Sequence, residues 1–212
     1  SKKADTKKRL QAISARAEFG FNNMAFVTAS MRNDWSSTLP KANNSYFYPA
    51  VEASFVASEI APIRDNLPWL NYLKIRGSWA QVGKDAGPLA IDPELEATGL
   101  TGGGYMYGYT GPNKSLKPEM TTSTEIGFEF RALNNRLDGD FTYYWTKCDD
   151  QIVTGFRLSY ATGFVLNNMN VGSFKTWGWE GRIGYDIIKS RDLTWNLGVT
   201  GSHTKSLITY LP

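Results

Sequence analysis

The chain of 212 residues has one cysteine, Cys148, and one histidine, His203. A single cysteine excludes an intrachain disulfide framework and any cysteine-based zinc site. A single histidine argues against histidine metal clusters and most nucleophile–histidine catalysis. No run approaches the about 18 to 20 apolar residues that a membrane-spanning helix requires. Charge carries as little: 23 basic against 20 acidic residues leave +3, too mild to imply nucleic acid as a partner. Much of that excess sits in residues 1–9, where Lys2, Lys3, Lys7, Lys8 and Arg9 face only Asp5, a composition that suits a solvated segment. No apolar leader follows Ser1, so the reading at this point is either a cytoplasmic protein or a mature piece of a longer chain.

What the chain does have is aromatic residues, 7 Trp, 11 Tyr and 11 Phe, or 14% of the whole, beside 20 Gly. That apolar payload excludes a disordered chain, although the mean hydropathy of −0.36 resembles that of an ordinary soluble domain. Hydrophobic alternation decides the class. In the run from Ile13 to Phe21, positions 13, 15, 17, 19 and 21 are apolar, while Ser14, Arg16, Glu18 and Gly20 fall between them. The same period of two recurs through residues 25–34, 125–131, 136–146, 176–187 and 193–200, and less regularly near 47–59 and 71–83. Eight strands are predicted, at about 10–21, 24–34, 47–59, 71–83, 120–132, 136–148, 174–189 and 193–209.

Two features separate a membrane barrel from a soluble sandwich. In the six clear segments no Lys, Arg, Asp or Glu falls in phase with the apolar positions. The opposite face carries Arg16, Glu18, Arg32, Asp34, Glu125, Glu129, Arg131, Arg136, Asp138, Asp140, Glu180, Arg182 and Asp186. Charge on a lipid face costs about 2–4 kcal/mol near the midplane, so this pattern predicts apolar-out, polar-in strands around a watery lumen. Connections also alternate in length: 22–23, 133–135 and 190–192 are short, 35–46, 84–119 and 149–173 are long, and 60–70 is intermediate in a short position. Outer-membrane barrels show this rule because periplasmic turns are tight and extracellular loops are not. The predicted fold is therefore all-β, an antiparallel transmembrane barrel segment. A self-contained eight-stranded outer-membrane protein and a secreted β-sandwich binding module are the alternatives.

On this reading Tyr143, Trp145, Trp177, Trp179 and Trp195, with Phe21, are interface aromatics. The loop run Gly102-Gly-Gly-Tyr-Met-Tyr-Gly-Tyr109 does not lead from a strand into a helix, so its glycines do not cradle phosphate. Its alternation predicts a hairpin extending the wall, and Tyr105, Tyr107 and Tyr109 are candidates for substrate or partner contact. Asp138 and Asp140 have the spacing of a carboxylate pair, but Arg131, Arg136 and Arg182 share their parity and neutralise them in a solvated lumen. His203 reads as an interfacial histidine and Asp149-Asp150 as the solvated start of a loop. No catalytic set, metal site or cofactor is implied.

The wording of the strand pairs resembles the C-terminal part of the barrel of SusC/RagA-type TonB-dependent outer-membrane transporters of Bacteroidetes. Four stretches carry the resemblance: Arg32-Asn-Asp-Trp-Ser-Ser-Thr-Leu-Pro40 leading to Ser45-Tyr-Phe-Tyr-Pro49; Leu73-Lys-Ile-Arg-Gly-Ser-Trp-Ala-Gln-Val-Gly83; Leu116-Lys-Pro-Glu-Met-Thr-Thr-Ser-Thr-Glu-Ile-Gly127 with Asn134-Asn-Arg-Leu137; and Asn170-Val-Gly172 running to Trp179-Glu180. The resemblance implies a barrel of about 22 strands around an N-terminal plug, in the outer membrane of a Gram-negative bacterium. It further implies a SusD-like surface lipoprotein lid and import of oligosaccharides or peptides with energy from TonB. The plug and the TonB-contacting segment have no counterpart in these residues. The ending Leu207-Ile-Thr-Tyr-Leu-Pro212 lacks a terminal aromatic, so a piece of a longer chain is expected. The remaining strands, the plug and outer-membrane lipid would be its neighbours. Loop lengths put residues 84–119 and the basic Lys2–Arg9 stretch on the outer side, near a lid or lipid headgroups.

Overall fold

The computed structural model describes residues 7–93, 95–97, 99, 102–158 and 163–211. Its strands are β1 (Leu10–Phe21), β2 (Ala25–Ser36), β3 (Ser45–Val56), β4 (Leu70–Lys84), β5 (Leu95–Ala97), β6 (Tyr105–Tyr107), β7 (Thr110–Gly111), β8 (Glu119–Ala132), β9 (Leu137–Arg157), β10 (Leu166–Lys189) and β11 (Thr194–Tyr210). The eight long strands form one antiparallel meander in the order β1-β2-β3-β4-β8-β9-β10-β11. The sheet is open: β1 and β11 stand at its two ends and do not pair with each other. A continuous single sheet replaces the sandwich alternative, and its open edges replace the closed eight-stranded one.

Register keeps the two faces distinct across the whole sheet. Val27 lies opposite Phe19 and Ala53, Phe128 opposite Ile75 and Phe141, and Ile183 opposite Gly139 and Val199. A slip of one residue would move every apolar side chain to the charged face, so the alternation in sequence fixes this pairing. At one end, the turn end, connections are tight. Asn22 and Asn23 have φ of 49° and 53°, and Leu133, Asn134 and Asn135 lie between 55° and 58°. Consecutive asparagines tolerate this left-handed backbone, which matches the twist of the flanking strands. Between β3 and β4, residues 57–59, predicted as the end of a strand, instead form a 3-10 turn, Ala57–Glu59, and the connection that follows holds a six-residue helix, α1, Ala61–Asn66. Pro62 lies in the first turn of α1, where its missing N–H is not needed.

The opposite, loop end corrects two expectations. Residues 149–157 and 166–173 were expected as loop, yet β9 and β10 run through them. Register shifts occur between Asn167 and Met169, between Asn170 and Gly172, and between Gly172 and Phe174, and Asp150 has φ of 56°. Each bulge resets the alternation, so the period of two is lost in sequence while the strand continues. Residues 84–119, expected as loop, contain β5 and β6, which form a separate two-stranded sheet, and β7, which pairs in parallel with β10.

A cluster of buried apolar residues lies at this loop end. Leu39, Tyr46, Ala86, Ala90 and Leu116 pack together, with Tyr48, Ile91 and Ile152 against them. The long connections are thus held over the sheet rim by their own hydrophobic cluster.

Candidate functional site

The polar face is organised in rows that cross the strands. Lys74, Glu129, Asp140 and Arg182 are successive cross-strand partners on β4, β8, β9 and β10. Ion pairs join this row to its neighbours: Arg131–Glu129 along β8 at 3.3 Å, Arg182–Asp138 on the diagonal at 3.4 Å and Arg76–Asp140 across β8 at 2.8 Å. Arg76 also donates to Thr142 Oγ1 at 2.7 Å. It reaches β9 across β8 because the residue between is Gly127, where a Cβ would meet the Phe141 carbonyl and the Arg76 side chain. The same device recurs one strand pair on. Tyr144 Oη and Thr204 Oγ1 share a 2.6 Å hydrogen bond across Gly178, whose absent side chain leaves the passage free. Arg16 and Glu18 on β1, Glu125 on β8 and Glu180 on β10 lie on this face, and Arg16 and Glu18 pair at 3.3 Å. Arg136 sits in the turn before β9, where its carbonyl accepts from the Asp186 N–H. A cavity of about 300 Å³ opens on the same face, lined by Phe26, Glu52, Lys74, Arg76 and Glu125.

On the apolar face, Trp145 lies opposite Trp177 and Tyr143 opposite Trp179, forming an aromatic row toward the loop end that Trp79 extends through Thr124. Trp195 is at the turn end, opposite Ile188. A bulge between Asp186 and Ile188 brings Ile188, and not the expected Ile187, to that position. His203 lies opposite Trp179 on this face.

The loop end is clasped by polar contacts that sequence reasoning did not assign. Asp85 accepts from Lys8 Nζ at 2.7 Å and from the hydroxyls of Ser36 and Thr38. Burial pushes its carboxyl up, but those hydrogen bonds and the Lys8 charge outweigh burial and hold it below the usual range. Lys8 is thus an anchor, whereas it was expected as a free surface charge; Lys2 and Lys3 lie outside the described residues. Beneath this cluster Asp34 accepts from Arg32 Nε at 2.6 Å and from Tyr48 Oη at 3.0 Å. Asn170 acts as a two-sided clamp: its Oδ1 accepts from the Lys117 N–H at 2.8 Å, and its Nδ2 donates to the Lys117 carbonyl at 2.9 Å and the Asp150 carbonyl at 2.7 Å. Glu119 accepts from the Ile152 N–H at 2.9 Å, satisfying a donor near the bulges. Sequence proximity gives no sign of the clamps on Asp85, Asn170 and Glu119, because their partners are 20 to 77 residues apart.

Tyr105, Tyr107 and Tyr109 project from the loop end, 76%, 61% and 68% exposed. Tyr105 and Tyr107 are on β6, in a small hairpin with β5 and not an extension of the main wall, and the Tyr107 ring meets Phe164 edge-on. Tyr109 joins Pro88, Asp92, Glu96, Thr154 and Asn168 around a cavity of about 350 Å³. Among the described residues no group of His, Cys, Asp and Glu is arranged to hold a metal ion, and no helix is long and apolar enough to cross a membrane.

Comparison with known proteins agrees with this architecture. A TonB-dependent receptor of Formosa agariphila is 26% identical over 209 residues, covering 94% of this chain and 20% of its own length. The TonB-dependent receptor SusC of Bacteroides thetaiotaomicron is 28% identical over 213 residues, covering 94% of this chain and 21% of its own. The solved structure of the RagAB peptide transporter superposes with a TM-score of 0.86 at 23% identity, over 96% of this chain and 23% of that one. The chain thus spans about a fifth of the length of the curated relatives it matches. The family model for "TonB dependent receptor-like, beta-barrel" matches residues 2–210, and the open two-faced sheet is part of that barrel: the chain belongs to this family, whose members are outer-membrane proteins.

Proposed function

We propose that these residues form part of the barrel wall of a TonB-dependent outer-membrane importer, with β1, β2, β3, β4, β8, β9, β10 and β11 crossing the bilayer, the turn end periplasmic and the loop end outside. The observation that carries this reading is the uninterrupted division of one open sheet into an apolar and a charged face. From Trp195 to Lys205 on β11 is ten residues, about 25 Å at a tilt near 40°, which fits the apolar band of such barrels. The ion-paired rows around Arg76, Asp140 and Arg182 line the lumen, where water and the plug meet them. The aromatic residues Tyr143, Trp145, Trp177 and Trp179 take the outer interface and Trp195 the inner one.

The cargo is an oligosaccharide or peptide, and a SusD-like lipoprotein closes the outer mouth. Support comes from SusC and the RagAB peptide transporter as relatives, and from exposed tyrosines beside a cavity at the loop end. Tyrosine rings stack on sugars and pack on peptide side chains at low entropic cost. Energy reaches the wall from TonB through parts of the protein beyond these residues. Lys7 and Arg9 remain available to a lid, whereas Lys8 is engaged by Asp85. The test uses the full-length protein in its host, following labelled oligosaccharides and peptides in cells with and without functional TonB. TonB-dependent uptake of one class supports the reading. Uptake indifferent to TonB, or none of either class, contradicts it.

A further inference from the structure

One aromatic ring on the polar face lies along the sheet and does not stand upright on it. Tyr144 of β9 meets Thr204 Oγ1 of β11 at 2.6 Å, with β10 between them. Neighbouring strands are about 4.8 Å apart, so a side chain that crosses two spacings must lie flat to reach. The residue beneath is Gly178, the cross-strand partner of both Tyr144 and Thr204, and it is buried while Tyr144 is half-buried. A Cβ at Gly178 would stand 2.7 Å from Tyr144 Oη and 3.0 Å from its Cζ. The glycine is thus a floor for the ring, and the other face of the ring is open.

Hydroxyl groups rim this platform. One row toward the loop end, Ser123, Thr146, Thr176 and Ser206 are successive cross-strand partners on β8, β9, β10 and β11. Ser123 pairs with Thr146 at 2.9 Å, and Thr176 with Ser206 at 2.9 Å. Two hydroxyls bonded to each other use one of their two protons, so each pair keeps one proton to donate and lone pairs to accept. In this row, in the row of Tyr144 and in the next row toward the turn end, the charged residues of β8 to β11 are Glu125 and Glu180, both carboxylates. Among the described residues neither has a hydrogen bond or ion pair. Arg76, which reaches Thr142 from β4, is held by Asp140.

An open aromatic face ringed by hydroxyls and free carboxylates, without a fixed cation, suits one ligand chemistry. The C–H face of a sugar ring packs on the aromatic face, and its hydroxyls donate to a carboxylate while exchanging hydrogen bonds with the paired hydroxyls. A peptide brings a terminal carboxylate that Glu125 and Glu180 repel.

We infer that the wall over Gly178 is a binding subsite for a neutral oligosaccharide, one sugar ring stacked on Tyr144 and its hydroxyls bonded to Glu180 and to the Thr176–Ser206 pair. This rests on the importer reading proposed above, which turns the polar face to the lumen, and it selects sugar over peptide as cargo.

The test uses full-length protein in detergent and two sets of probes: neutral hexasaccharides of glucose, xylose, mannose and fructose, and hexapeptides with and without lysine. Calorimetric titration reads affinity, and labelled forms of the same probes read uptake by the host. Binding of a neutral hexasaccharide is expected, about 10-fold weaker in Tyr144→Ala and within about 3-fold of the parent in Tyr144→Phe, which keeps the ring. If Tyr144→Ala loses the heat-modifiable mobility of a folded barrel, Glu180→Gln, at an exposed position that leaves the ring in place, gives the reading through a loss of about 3-fold. Equal affinity in the parent and these variants, a peptide bound through Tyr144 instead, or no hexasaccharide bound overturns the inference. TonB-dependent uptake by the parent separates that failure from failure of the importer reading: where it persists, only the subsite is refuted, and where the parent takes up neither class with TonB, the importer reading fails as well.

Discussion

Replacing Leu116 with alanine should detach the loop end without unfolding the wall. Leu116 is fully buried, with 0% of its surface exposed, among Leu39, Tyr46, Ala86 and Ala90. Two of those neighbours are alanines, too small to collapse into the space left behind. Large-to-small changes at such sites cost about 2–5 kcal/mol, and the poor capacity to relax favours the upper half of that range. Because the cluster lies outside the ladder hydrogen bonds of β4 and β8, the cost falls on local opening of residues 85–118 and not on the sheet. At about 1.4 kcal/mol per factor of ten, amide exchange in this segment should accelerate about 300- to 4,000-fold. Hydrogen exchange on the full-length protein in detergent measures this directly, with Leu89→Ala as a control, since Leu89 is 56% exposed. Unchanged exchange in 85–118, or equal acceleration in β9 and β10, would refute the separation of a loop-end core from the wall.

Asp85 should make the same segment acid-sensitive. Its carboxyl is held below the ordinary value of 3.8, so its anchoring is complete above that value and is lost as pH falls through the lower folded-state value. Proteolysis of residues 85–118 by an acid-active protease should therefore rise below about pH 4 and become pH-independent in Asp85→Asn. Gly83→Ala should loosen the same region by about 1–3 kcal/mol, because the added Cβ would overlap the Tyr46 ring that packs against Leu116; a lowered melting temperature would show it. Replacing Tyr105, Tyr107 and Tyr109 together with alanine should reduce cargo uptake or lid co-purification while leaving barrel assembly unchanged, since all three are exposed.

Much of the wall could be read from alternation alone. β1, β2 and β8 begin or end within a few residues of the predicted limits, because a strand with one apolar and one charged face writes its register into every second residue. The upper parts of β9 and β10 could not be read this way, since bulges around Asp150 and Asn170 break the phase. The resemblance picked out Leu116-Lys-Pro-Glu119 and Asn170, but their work is visible only in three dimensions: Leu116 fills the core, Glu119 satisfies Ile152 and Asn170 clamps Lys117. Likewise Gly127 and Gly178 look in sequence like weak points in strands, whereas each is a gap through which a side chain crosses to the next strand.

The central claim is that alternate residues of one strand meet lipid and water. Single cysteines at positions 139 through 146 of β9, in full-length protein lacking other cysteines, can carry a fluorophore probed by brominated lipid and by aqueous iodide. The account predicts lipid quenching at 139, 141, 143 and 145 and iodide quenching at 140, 142, 144 and 146. Quenching without a period of two, or with the opposite phase, would contradict it.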